Sequence, residues 1–169
     1  MSRWRPPEKK SSPYITAAGL ERLKAELKQL WVDRREVVAA LSAAAAEGDR
    51  SENAEYIYRK KQLREMDRRI RYLTRRIDEV KPVAGRPGDP DRVFFGAWVT
   101  VANESGEEFC YRIVGADEID AECGWISVDS PLARGLLGKP LDEEVAIDTP
   151  SGVRNLAIVE IRYSEPGMA

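Results

Sequence analysis

A chain of 169 residues with 43% hydrophobic and 33% charged side chains can fill one ordinary domain or two small ones, and its composition is neither disordered nor fibrous. Histidine is absent, which excludes Ser-His and Cys-His catalysis and most catalytic zinc sites, so any chemistry must rest on carboxylates, hydroxyls, Lys or Arg. The net charge of −2 conceals a division: residues 14–81 carry 16 basic and 12 acidic side chains, whereas residues 90–169 carry 6 and 15. Only the first part is suited to phosphate contact, because the acidic second part repels it.

Residues 1–13, with 4 basic and 1 acidic side chain, are expected to be a flexible basic extension. No apolar run follows its basic residues, so it is no signal peptide. No stretch of about 20 apolar residues exists to cross a bilayer, and a cytoplasmic protein without membrane contact is expected. Cys110 and Cys123 form no CxxC pair. The plainer expectation is two buried thiols, with a single bridge between them as the alternative.

Residues 14–81 are expected to form a long antiparallel α-helical hairpin. Thr16 is a fair cap, and Leu20, Leu23, Leu27 and Leu30 follow on one face; the stripe continues less cleanly through Val37, Val38 and Leu41. A second helix is expected from near Ser51, with Tyr56, Leu63, Met66, Ile70, Leu73, Ile77 and Val80 on an a/d seam until Pro82 stops it. Only Glu47-Gly48-Asp49-Arg50 lies between the helices, too little for anything except a tight reversal with a solvent-exposed tip.

Residues 82–92 have the composition of a linker. Beyond it, the stretches 95–102, 108–114, 124–128, 144–147 and 155–161 suggest a small, mostly antiparallel sheet. Ser130 to Gly138 supplies one short helix, capped by Ser130 with Pro131 at its first position. The fold class is therefore α+β, with Trp98 and Trp125 expected in the β core.

Two readings fit the tip. Asp49 and Glu52 have the spacing of a capping box. Equally, two carboxylates at the end of a rod can share Mg²⁺ with a partner that supplies the remaining ligands, completing a two-metal centre. Behind the tip comes a basic run of Arg59, Lys60, Lys61, Arg64, Arg68, Arg69, Arg71, Arg75 and Arg76. Part of it alternates with acids as a solvated coiled-coil face would. Arg64, Arg68, Arg71 and Arg75 nevertheless recur at spacings of 4, 3 and 4, a stripe suited to a phosphate backbone. Tyr56 and Tyr58 can stack on a base or pack within the hairpin.

The stretches Gly48 to Tyr56, Lys60 to Leu73, Val93 to Val99, Arg112 to Ile119 and Ile126 to Arg134 together resemble the bacterial transcript cleavage factor family GreA/GreB, on its GreB side. The resemblance covers nearly everything from Tyr14 to about Tyr163. It implies an FKBP-like domain over residues 93–165, docking at the rim of the RNA polymerase secondary channel while the hairpin enters it. It further implies that Asp49 and Glu52 hold a second Mg²⁺ shared with the polymerase, with no cofactor bound stably alone. The basic patch (Arg59, Lys60, Lys61, Arg64, Arg68, Arg71, Arg75) would guide the nascent RNA 3′ end. Arg50, Ser51, Asn53 and Tyr56 would support the tip, and Asp129, Ser130 and Pro131 would bind the rim. The implied activity is stimulation of the polymerase's own RNA cleavage by a monomer that is not itself an enzyme. Two other functions stay open: a channel-binding regulator that induces no cleavage, and a general RNA- or DNA-binding protein using the basic stripe. Two departures stand out: the extension 1–13, and Asp142-Glu143, where the family usually has a Gly-Asp turn after Leu141.

Overall fold

The computed structural model describes residues 10–48, 53–84 and 87–164. Asp49, Arg50, Ser51 and Glu52 lie outside the described residues, as does most of the basic extension. The chain divides into two compact units: Leu20–Val80, and a second unit formed by the chain up to Gly19 and from Lys81 onward. Among the described residues no helix is long and apolar enough to cross a membrane.

The first unit is a helical hairpin. Helix α1 spans Ala17–Ala46 and α2 spans Ala54–Glu79. Side chains that bridge them include Asn53 to Ala44, Arg34 to Asp67 and Arg69 to Glu26, across sequence separations of 9, 33 and 43 residues. Separations that grow away from the turn are those of an antiparallel pair. Leu23, Val37, Ala44, Ile70, Leu73 and Val80 are buried, and Leu73 is wholly inaccessible. The α1 stripe is in fact continuous: Leu20, Leu23, Leu27, Leu30, Arg34, Val37, Leu41 and Ala44 alternate at 3 and 4, with Arg34 at one seam position. The Arg34 guanidinium lies 2.7 Å from Asp67 of α2, whose hydrogen bond and charge raise the arginine's pKa further. A polar group at one seam position fixes register at some cost in stability.

Helix α2 starts at Ala54, three residues later than expected from the sequence, because Asn53 is its cap. It ends at Glu79, with Val80 extended at φ −77° and ψ 148°. The stop falls just short of Pro82, which disfavours helical conformation at Lys81.

In the second unit, β1 (Tyr14–Thr16) pairs parallel with β2 (Lys81–Val83). The amide of Lys81 donates to the carbonyl of Pro13 at 2.7 Å. Strand β2 thus falls at the start of the stretch expected as a linker. A five-stranded sheet follows in the order β5-β4-β3-β7-β6, with β3 at Trp98–Ala102, β4 at Glu108–Val114, β5 at Trp125–Ser127, β6 at Glu144–Thr149 and β7 at Gly152–Arg162. Every pairing in it is antiparallel except β4 with β5. Helix α3 (Pro131–Leu136) packs on one face, over a core that includes Val99, Val101, Ile113, Leu136, Ile147 and Ile158. At the sheet's end the Tyr163 hydroxyl accepts from the Phe94 amide at 2.9 Å and donates to the Arg92 carbonyl. Burial raises the pKa of that phenol.

Two expectations are corrected here. Cys110 and Cys123 are free and exposed, not buried or bridged. Cys110 alternates with the inward-facing Phe109 and Tyr111, and Cys123 sits in the turn before β5. Beside it, Asp120, by hydrogen bond and charge, raises the Cys123 thiol pKa. Trp98 and Trp125 do not join the core, because Val99 and Val101 take the inward positions of β3. They meet edge to face on the other side at 6.3 Å, with the Arg112 guanidinium 5.2 Å and 4.7 Å from their rings. Asp142 adopts φ +64°, the left-handed conformation glycine supplies without strain, and its amide donates to the Ile158 carbonyl at 2.9 Å. Aspartate is among the few residues that tolerate it.

Candidate functional site

At the turn the Asn53 side chain joins the two helix ends. The Asn53 carbonyl oxygen accepts the Tyr56 amide at 3.1 Å, satisfying a donor that α2 leaves without an intrahelical partner. Its side-chain NH₂ donates to the Ala44 carbonyl at 2.8 Å, in the last turn of α1. Gly48 leaves α1 at φ +136°, a conformation that L side chains rarely adopt. The cap of α2 is therefore Asn53, while the capping-box spacing of Asp49 and Glu52 lies outside the described residues. Asn53→Ala is expected to cost about 1–2 kcal/mol locally, combining a lost cap with an orphaned carbonyl. Amide exchange at Tyr56 should then rise by about 5- to 30-fold. An unchanged rate would contradict this account of the turn.

Along α2 the basic residues fall into two groups. Arg59 is committed to its own helix, with Nε 3.1 Å from Glu55 and a terminal nitrogen donating to Gln62. Lys60 lies 5.7 Å from the ring of the half-buried Tyr56, and the Arg59 guanidinium 5.6 Å from that of the exposed Tyr58. Arg69 makes a two-pronged bond with Glu26 at 2.6 and 2.9 Å, and Arg75 lies 3.8 Å from Glu79. Arg76 is buried. By contrast Lys61, Arg64, Arg68 and Arg71 are exposed and have no ion pair or hydrogen bond among the described residues. Asp67, an acid within this run, turns to Arg34 instead. The middle of the stripe is thus left with uncompensated positive charge.

On the β unit, Asp129, Ser130 and Pro131 form the entry to α3. The Ser130 hydroxyl accepts the Ala133 amide at 3.2 Å as cap, and Pro131 stands exposed at the first helical position, as expected from the sequence. Asp129 donates its amide to the Ser127 hydroxyl at 3.1 Å and accepts the Ser12 amide at 2.8 Å. The last residues of the N-terminal extension are therefore tied to this loop, a contact that no periodicity announces. Two further residues escaped the sequence reading. Arg34 was visible only as a gap in a heptad stripe, and the buried Glu118 gave no signal at all.

Residues 13–81 match the family described as "Transcription elongation factor, N-terminal", and residues 88–163 match "Transcription elongation factor, GreA/GreB, C-term". The chain is 57% identical over 164 residues to Transcription elongation factor GreB of Pseudomonas aeruginosa, covering 96% of this chain and 98% of that protein. It is 57% identical over 166 residues to the GreB of Xanthomonas axonopodis pv. citri, covering 97% and 99%. A third relative, the GreB of Pasteurella multocida, is 54% identical over 155 residues, covering 91% and 98%. With both parts of the chain matched and such identity over nearly its whole length, this protein belongs to the GreA/GreB family of transcription elongation factors.

Proposed function

We propose that the protein binds bacterial RNA polymerase through its secondary channel and stimulates the polymerase's intrinsic cleavage of the RNA 3′ end in backtracked or arrested complexes. Family membership with GreB relatives at 57% identity supports this reading. The structural observation that carries it is the turn. Among the described residues Asn53 caps α2 and also holds the last turn of α1, and the acidic pair Asp49 and Glu52 falls in the sequence between these two helices. Asp49 and Glu52 are the residues assigned to the shared Mg²⁺. Hard carboxylate oxygens suit that ion, and two of them form only part of its sphere, so the polymerase must supply the rest. When bound, Mg²⁺ would polarise the scissile phosphate and activate the attacking water. The protein is not itself the nuclease, and its place of action is the cytoplasm.

The remaining assignments follow from this. Lys61, Arg64, Arg68 and Arg71, with Arg59, Lys60 and Arg75 beside them, guide the extruded RNA by phosphate contact. Arg50, Ser51, Asn53 and Tyr56 support the tip. The β unit, a five-stranded sheet with one short helix on it, is read as FKBP-like and docks at the channel rim through Asp129, Ser130 and Pro131. The functional division is then extension 1–13, hairpin 14–81, connection 82–92 and docking domain 93–165. A monomer suffices for all of it.

The test is RNA shortening in stalled, backtracked polymerase complexes. Adding the protein should accelerate release of 3′ fragments, while the protein alone should leave free RNA intact. Binding to polymerase without any change in shortening would favour a non-cleaving channel regulator. Cleavage of free RNA would contradict the reading altogether.

A further inference from the structure

The first turn of α1 has no acidic residue of its own, although a helix start needs acceptors for its amides and favours negative charge. Both needs are met from a distant part of the chain. Glu118, in the turn after β4, is only 3% exposed. Its Oε2 accepts the backbone amides of Thr16 at 3.0 Å and Gly115 at 2.9 Å, and its Oε1 accepts the Thr16 hydroxyl. That hydroxyl oxygen in turn accepts the Gly19 amide at 3.0 Å, capping α1. Carboxylate, hydroxyl and helix amide therefore form one relay, with every partner in hydrogen-bonding reach.

Glycine makes the space for it. A Cβ on Gly19 would run into the Glu118 carboxyl group, and one on Gly115 would lie 3.0 Å from Oε2 while pressing on the Tyr14 carbonyl. A helix that otherwise favours alanine keeps glycine at the point where a carboxylate from another element enters its first turn.

We propose that Glu118 is a positioning residue for transcript cleavage: it fixes the root of α1, and the tip lies at the other end of that helix. This rests on the cleavage reading above. Helix α1 runs unbroken from this root to the turn, thirty residues or about 45 Å. Misplacement of reacting groups by about 1 Å can cost about 100-fold in rate.

The experiment uses the full chain on backtracked complexes and separates the factor concentration giving half-maximal cleavage from the rate at saturation. Glu118→Ala and Gly19→Ala should each lower the saturating rate by about tenfold or more. The half-saturating concentration should stay within about twofold of wild type. Glu118→Gln, which keeps the shape and one acceptor oxygen, should fall between them and wild type. The double variant should be no slower than Glu118→Ala, because removing the carboxylate makes room for the new methyl group. Amide exchange should quicken at Gly19 and stay unchanged at Leu73 and Ile113, which separates a loosened root from a damaged fold. If Glu118→Ala fails to fold, Gly19→Ala and Glu118→Gln carry the comparison. A wild-type saturating rate in these variants overturns the proposal. So does a half-saturation shift as large as the loss of rate, which would make Glu118 part of the binding surface. If the wild-type protein stimulates no cleavage, the functional reading fails instead, and Gly19 exchange still reports on the anchor.

Discussion

Replacing Asp49 by Asn and Glu52 by Gln is expected to abolish RNA shortening in backtracked complexes while leaving polymerase binding within about twofold of wild type. Both substitutions keep side-chain size and hydrogen bonding but remove the negative oxygens that a hard cation requires. Loss of residues one shell away from a metal commonly costs about 10- to 100-fold, so loss of the ligands themselves should cost at least about 100-fold. The effect falls on cleavage at saturation because the assigned docking loop, Asp129 to Pro131, belongs to the other unit of the chain. Raising the Mg²⁺ concentration should restore part of the lost rate in each single variant and little in the double. Full cleavage by the double variant would rule out the metal role. An equal loss of binding would show instead that the acids are docking residues.

The second large effect is expected from the uncompensated stripe. Arg64, Arg68 and Arg71 are exposed without ion pairs among the described residues, so removing them frees no buried partner and should leave the hairpin folded. If each meets a phosphate of the extruded RNA, the triple alanine variant should bind RNA-extruding complexes more weakly. The salt dependence of that binding should become shallower by about 2 in the slope of log affinity against log salt, given about 0.7 per single-stranded phosphate. Arg69→Ala is the natural control, because its guanidinium is already engaged by Glu26 across the hairpin. That variant should change hairpin stability and not the salt slope. An unchanged slope in the triple variant would remove the stripe as the RNA contact.

The hairpin was legible because its seam obeys the 3-4 spacing: Ile70, Leu73 and Val80 are buried and Tyr56, Leu63, Met66 and Ile77 half-buried, in the expected line. In α1 the same spacing was obscured by Arg34, since an arginine in a seam reads as a break until its acidic partner is seen on the facing helix. The start of α2 was placed too early. Asp49 and Glu52 offer the spacing of a cap, but Asn53 has the side chain that serves both helices, and its bond to the Ala44 carbonyl depends on a turn that sequence alone does not locate.

The five main strands and the Ser130-Pro131 helix start were legible from alternation and cap chemistry. Strands β1 and β2 were not, because three-residue strands far apart in sequence have no period to detect. Cys123 is exposed because it lies in a turn, whereas Trp98 and Cys110 were misjudged for another reason. Residue type was weighed above strand parity, and Trp98 and Cys110 occupy outward positions next to inward Val99 and Tyr111. The acidic pair, the stripe and the docking loop were named from the residues and the family resemblance. The Glu118 anchor needed the fold, since 102 residues separate it from Thr16.

The most direct measurement is to exchange the Mg²⁺ of a backtracked polymerase complex for Fe²⁺ and map where locally generated hydroxyl radicals cut this protein. The account predicts cuts confined to the turn, around residues 47–53, weakened when Asp49 and Glu52 are replaced. Cuts in the β unit alone, or an uncut turn in a complex that still shortens its RNA, would contradict the delivery of these carboxylates to the catalytic metal.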